Sequence, residues 1–164
     1  MIWSVARQTQ SSITLELPNG DDEYQDLSSQ LTYSLTDSSI TMILKVANNG
    51  VDEMRIAPGF HPYFAMSDDE GRVAIDDIAV DIQDLEGTLF YQSAAKQLML
   101  QKRTLTMTSD VMTTWAAWSD RLGSYVCLEP TYAGYAFEND DEAPDAGQLL
   151  QPGESRAYTA MIQW

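Results

Sequence analysis

The sequence predicts an all-β protein, an antiparallel sandwich or barrel, and three observations carry that prediction. About ten short segments pair apolar with polar residues in alternation or gather β-branched and aromatic residues, as strands do. They recur roughly every 8 to 12 residues, divided by Gly, Asn, Asp and Ser turns. Only Ser93-Ala94-Ala95-Lys96-Gln97-Leu98 has a briefly helical look, and it is too short for a core helix.

Residues 12–17 alternate strictly and run into Pro18-Asn19-Gly20, a strand and its turn. Residues 31–35 alternate again, Thr36-Asp37-Ser38-Ser39 supplies turn chemistry, and residues 40–46 return as the second arm of a hairpin that ends at Asn48-Asn49-Gly50. Met54-Arg55-Ile56-Ala57 leads into an aromatic stretch, which a loop at residues 67–71 closes. Further strands are predicted at 73–75, 78–82, 98–101, 105–108, 113–118, 125–128 and 157–164. Residues 138–145 read as a solvated loop.

A length of 164 residues suits a single domain over 1–164, with enough chain to bury a core without staples. Apolar runs fall short of the roughly 18 residues a membrane helix needs. The N-terminus lacks a leader pattern, so a cytoplasmic location and no membrane partner are expected. A formal charge of −16 repels nucleic acid and anionic surfaces. Cys127 is the single cysteine and His61 the single histidine, so no intrachain disulfide can form and a soft-metal site would have to be built almost wholly from carboxylates. No metal and no cofactor are expected. Acidic clusters at 21–23, 68–70 and 140–142 do not follow the ligand spacing of a calcium loop and read as solvated turns.

Two stretches share one design. In Ala57-Pro58-Gly59-Phe60-His61-Pro62-Tyr63-Phe64 the histidine precedes a proline, which disfavours the α region and extends the chain there. Alternation then sends Phe60, Pro62 and Phe64 to one side and His61 and Tyr63 to the other. In Tyr125-Val126-Cys127-Leu128-Glu129-Pro130-Thr131-Tyr132 the glutamate also precedes a proline. Tyr125, Cys127 and Glu129 share one face, and Val126, Leu128 and Pro130 form a natural core face.

These two stretches, together with Trp118, the hairpin of residues 31–50 and the ending Leu150-Gln151-Pro152-Gly153-Glu154-Ser155, resemble the aldose 1-epimerase, or galactose mutarotase-like, family. The resemblance implies a β-supersandwich, here reduced, whose concave face binds a sugar, with His61 as catalytic acid and Glu129 as base. The chemistry suits those types. Anomer exchange takes a proton from the C1 hydroxyl and gives one to the ring oxygen, and a carboxylate and an imidazolium on opposite sides of the ring can do both. Tyr63, Trp118 and Tyr132 are the candidate platforms for the sugar's apolar face, with Trp115 and Trp118 equally suited to the core.

The chain departs from the family pattern in two ways. It begins about where the second half of family members begins, and the preceding part there supplies an arginine and a further histidine to the sugar site. Where an aspartate is expected on a strand between acid and base, the sequence carries Gly87 or Thr88. Uncovered sheet edges would suit a homodimer. The expected function is binding of a small neutral aldose with interconversion of its α and β anomers. The alternatives are a non-catalytic carbohydrate-binding module, in which His61 and Glu129 only hydrogen-bond hydroxyls, and a structural or interaction remnant of the family.

Overall fold

The computed structural model describes residues 2–21, 24–67, 71–120, 125–133 and 147–164. Fifteen strands lie among them, and every pairing between strands is antiparallel. The first four, β1 (Ser4–Gln8), β2 (Ser12–Leu17), β3 (Leu27–Leu35) and β4 (Ser39–Asn48), form consecutive hairpins. The predicted Thr36–Ser39 turn closes one of them, with the Thr36 N–H donating to the Ser39 carbonyl at 2.9 Å and the two hydroxyls 2.7 Å apart.

After β5 (Met54–Ile56) and β6 (Tyr63–Ala65) come β7 (Arg72–Ile75), β8 (Ile78–Asp81), a 3-10 turn at Ile82–Gly87 and β9 (Leu89–Gln92). The chain continues through β10 (Ala95–Leu100), β11 (Arg103–Ser109), β12 (Thr114–Trp118), β13 (Tyr125–Thr131), β14 (Gln148–Leu150) and β15 (Ser155–Gln163). A nine-stranded sheet runs β1-β2-β3-β4-β15-β11-β10-β7-β8, a four-stranded sheet runs β6-β13-β12-β9, and β5 and β14 pair as a small third sheet.

The first two sheets share one apolar core. Leu98, Met107, Tyr158 and Ile162 from the large sheet and Trp115, Ala117, Val126 and Leu128 from the small one belong to a single buried cluster. Burial follows alternation: β12 and β13 give the core Trp115, Ala117, Val126, Leu128 and Pro130, which turns the intervening residues to the outer face of the four-stranded sheet.

One expected element is corrected. The segment with the helical look is strand β10, preceded by a turn, and all six of its residues pair with β11. Lys96, Leu98 and Leu100 are buried while their neighbours are less so, and that period-two burial outweighs the local helix preference of Ala, Lys and Gln. Of the acidic clusters, 68–70 and 140–142 lie outside the described residues, as does 21–23 apart from Asp21. Among the described residues no helix is long and apolar enough to cross a membrane.

Candidate functional site

The outer face of the four-stranded sheet is built by register. Glu129 on β13 lies opposite Ala116 on β12, and Ala116 lies opposite Phe90 on β9. Cys127 lies opposite Trp118 on one side and Tyr63 of β6 on the other. Strand alternation therefore places Tyr63, Cys127, Glu129, Thr131, Ala116, Trp118 and Phe90 on one surface.

His61 reaches this surface because its segment is laced to the end of β13. The Phe60 N–H donates to the Pro130 carbonyl at 3.0 Å, and the Tyr132 N–H donates to the Pro58 carbonyl at 2.9 Å. Gly59 bridges Thr131, and a Cβ on Gly59 would stand 3.3 Å from both the Pro130 carbonyl oxygen and the Thr131 Cβ, so glycine permits the close approach. Phe60 and Phe64 are buried and His61 and Tyr63 exposed, the facing that alternation predicts.

The result is a cleft of about 470 Å³ with His61, Thr88, Trp118, Glu129 and Thr131 among its lining residues. Nε2 of His61 stands 3.3 Å from Oε1 of Glu129, with the imidazole about half exposed and the carboxylate mostly covered. His61 stacks on Tyr63 with ring centroids 4.8 Å apart and meets the edge of Trp118 at 6.2 Å. Tyr125 completes the aromatic wall, 4.9 Å from Tyr63 and 6.0 Å from Trp118.

Burial pushes the Glu129 carboxyl above the ordinary carboxylate range, and the charge of His61 only partly offsets it. Beneath it the Cys127 thiol is pushed up to about 12, first by burial and then by the anionic neighbours Glu129 and Asp120. The Tyr125 phenol also rises to about 12, through lost hydration and through its hydrogen bond to Asp120. Among these groups Glu129 is the one moved toward neutrality, where a proton acceptor is useful.

Of the sequence-predicted site residues, the structure brings His61, Glu129, Tyr63 and Trp118 together. Tyr132 lies elsewhere. It packs against the core and lines a separate depression with Arg55 and Arg156, because it has the parity of Val126, Leu128 and Pro130 rather than of Glu129. Trp115, with no exposure, is core. Sequence reasoning missed Thr131, Phe90 and Ala116, of which Thr131 could have been found by counting two residues on from Glu129. Thr88, at the position where the family pattern led us to expect an aspartate, does line the cleft, and it does so with φ of 40°, a conformation a β-branched residue rarely takes.

Comparison with known proteins places the fold. The family model described as aldose 1-epimerase matches residues 1–114. No curated protein matches the chain. Among solved structures, a galactose mutarotase related enzyme from Lactobacillus acidophilus superposes with a TM-score of 0.75 at 18% identity, covering 98% of this chain and 70% of its own. A protein from Synechocystis gives 0.76 at 18% identity, with 98% and 65% covered. A galactose mutarotase-like protein from Lactobacillus casei gives 0.75 at 14% identity, with 98% and 72% covered. The chain thus spans about two thirds of the length of these proteins, and at such identities the likeness speaks for the fold. Matched by the family model over more than half its length, the chain belongs to the aldose 1-epimerase family and has its galactose mutarotase-like all-β fold.

Proposed function

We propose that the chain binds a neutral aldose in the cleft between His61 and Thr88 and interconverts its α and β anomers. The observation that carries this reading is the pair itself: an imidazole nitrogen and a carboxylate oxygen 3.3 Å apart on a cleft wall, the carboxyl pushed above its ordinary range. Family membership supports it, and the cleft falls within the usual size of small-ligand sites. No lysine or arginine lines the cleft among the described residues, which favours an uncharged ligand over a phosphorylated one.

His61 and Glu129 stand side by side at 3.3 Å and not on opposite sides of a ring, as the sequence led us to expect. Both reacting oxygens of an aldopyranose are bonded to C1, so a side-by-side pair can address them together. Glu129 accepts the proton of the C1 hydroxyl while protonated His61 donates to the ring oxygen. The bond from C1 to the ring oxygen breaks and C1 becomes a carbonyl. Rotation about the bond from C1 to C2 presents the other carbonyl face, the ring hydroxyl attacks it, and the two residues exchange roles as protons return. Trp118 offers its ring to the sugar's C–H surface, Tyr63 backs the His61 imidazole, and Thr131 and Thr88 offer hydroxyls.

The test is magnetisation-exchange NMR on equilibrated glucose, galactose and other neutral aldoses. Wild type should exchange anomers above the spontaneous rate, and His61→Ala and Glu129→Gln should each lose at least about 100-fold, the scale of general acid and base catalysis. A wild-type rate equal to buffer for every sugar, with sugar line broadening retained, would leave a carbohydrate-binding site without catalysis. Neither exchange nor broadening would overturn the reading for those sugars.

A further inference from the structure

The same wall carries a second chemistry. A ring nitrogen of His61, Sγ of Cys127 and a carboxylate oxygen of Glu129 all lie within 4.8 Å of one another. The chain has one histidine and one cysteine, and the fold delivers both to one point. Cys127 and Glu129 are two residues apart on one face of β13, and the lacing of residues 58–60 along the end of that strand sets His61 beside them.

A tetrahedral zinc ion with imidazole, thiolate and carboxylate ligands holds its donors about 3.4 to 3.6 Å apart, by geometry from the usual bond lengths. His61 and Glu129 already stand at 3.3 Å. Bringing Sγ into the same shell requires donor shifts of about 1.2 Å at most, which the half-exposed imidazole can supply by sliding over the Tyr63 ring. The donor set is of the borderline-soft kind that suits zinc, cobalt or nickel, whereas calcium and magnesium ask for oxygen alone. His61 and Glu129 line the cleft while Cys127 is buried behind them, so an ion would reach the thiol from the cleft side. A molecule of charge −16 also concentrates divalent cations around itself.

We propose that His61, Cys127 and Glu129 form a three-donor site for a thiophilic divalent cation of the zinc class, and that its occupancy excludes the sugar reaction. Binding forms a metal–sulfur bond and releases the thiol proton to solvent, with no change of oxidation state. The ion takes the imidazole lone pair that would otherwise carry the acid's proton and the carboxylate lone pair with which the base would act. Binding stands on the donor set alone, and exclusion rests on the proposed anomer exchange.

The experiment uses untagged, chelator-treated full chain titrated with cobalt(II) and followed by absorption. With one cysteine in the chain, a thiolate-to-cobalt charge-transfer band reports Cys127. Wild type should develop that band together with intensified visible bands of a four-coordinate ion, and zinc should abolish both. Magnesium and calcium at equal concentration should leave them in place. Cys127→Ala should lose the charge-transfer band, and His61→Asn, a change at a half-exposed residue, should keep the band but weaken cobalt binding at least about tenfold. Circular dichroism establishes that each variant is folded, and wild type with His61→Asn decides the matter if Cys127→Ala is not. No band in wild type, or a band whose affinity His61→Asn leaves unchanged, overturns the site. In the exchange assay zinc should abolish wild-type turnover and excess chelator restore it. Turnover that persists with the cobalt band fully developed overturns the exclusion, while a wild type without turnover bears on the sugar reaction and leaves the cobalt result standing.

Discussion

Glu129 faces two opposed influences, burial that favours the neutral acid and the adjacent His61 charge that favours the carboxylate, and burial is the larger. The sign of its pH effect follows. A base must be ionised, so exchange falls as pH drops through the raised Glu129 value, and the acid limb of the rate profile lies above the range of an ordinary glutamate. Rates measured in chelator-treated protein should show that displaced limb; a limb at an ordinary carboxylate value would remove Glu129 as the base. A second residue-scale prediction concerns Lys96, which is nearly buried in the core face of β10, held by Asp76 at 2.5 Å and placed 5.1 Å over the Tyr91 ring. Burial raises the Asp76 carboxyl, but hydrogen bonds from Lys96 and from the Gln97 N–H outweigh it and hold it below the ordinary value. Its stability contribution is therefore present above the unfolded-state value and is lost as pH falls through the lower folded one. Asp76→Asn keeps an acceptor for Gln97 and tolerates the φ of 50°, so it removes little but the charge. It should cost about 1–2 kcal/mol in urea unfolding, less than a fully buried pair because Asp76 is 41% exposed. Lys96→Met should cost less than Asp76→Asn, since it leaves no unpaired buried charge. The reverse order would show that Lys96 is not energetically buried.

At the scale of elements, period-two alternation was the legible part of the sequence and pairing was not. Facing along residues 125–131 is independent of which strand lies alongside, so Glu129 and Cys127 could be assigned to one face, with Val126, Leu128 and Pro130 to the other. That β9 and β12 would bring Phe90 and Ala116 to the same surface depends on register between strands distant in sequence, and no local signal records it. Tyr132 has a suitable ring but the parity of the core face, so it lies away from the cleft. Strands β1, β5, β9 and β14 have no counterpart among the predicted segments: β5 and β14 offer only three residues each, and β1 and β9 bury no residue that would mark one face. Asn48 shows a similar divide. Its turn was readable from Asn-Asn-Gly, but its role was not. Buried at the end of β4, its side-chain N–H₂ group donates to the Asp52 carbonyl at 2.7 Å and the Leu150 carbonyl at 3.0 Å, and its Oδ1 accepts the Gly50 N–H at 2.9 Å. One side chain thus ties the turn after β4 to the segment that pairs with β5. Asn48→Ala leaves those backbone groups without partners and should cost about 2–4 kcal/mol, summing partly offset losses of buried hydrogen bonds. A loss under about 0.5 kcal/mol would mean that water replaces the amide fully.

For the whole molecule, 25 acidic against 9 basic side chains set a balance that no single ion pair reveals. Folding gathers that excess onto a compact surface, whereas the unfolded chain spreads it out, so self-repulsion works against the native state. The acidic loops read from the sequence are a consequence of composition, and composition is the property that needs no structure. What the structure adds is where the positive charges go: Lys96 is spent inside the fold, and Arg72 and Arg156 are paired with Asp81 and Glu154. Even if every one of the nine cations met a carboxylate, 16 negative charges would stay unbalanced. Raising sodium chloride from 10 to 150 mM shortens the screening length from about 30 to about 8 Å. Repulsion among exposed carboxylates weakens strongly over that range, while the contact pairs, especially the buried Lys96, are screened much less. The melting temperature should therefore rise by about 2–4 °C, corresponding to roughly 1 kcal/mol for a chain of this size. A melting temperature that falls with salt would mean that attractive pairs, not the net charge, dominate the electrostatics of this fold, and the order of Asp76→Asn and Lys96→Met at the two salt concentrations would then show whether the Lys96 pair is among them.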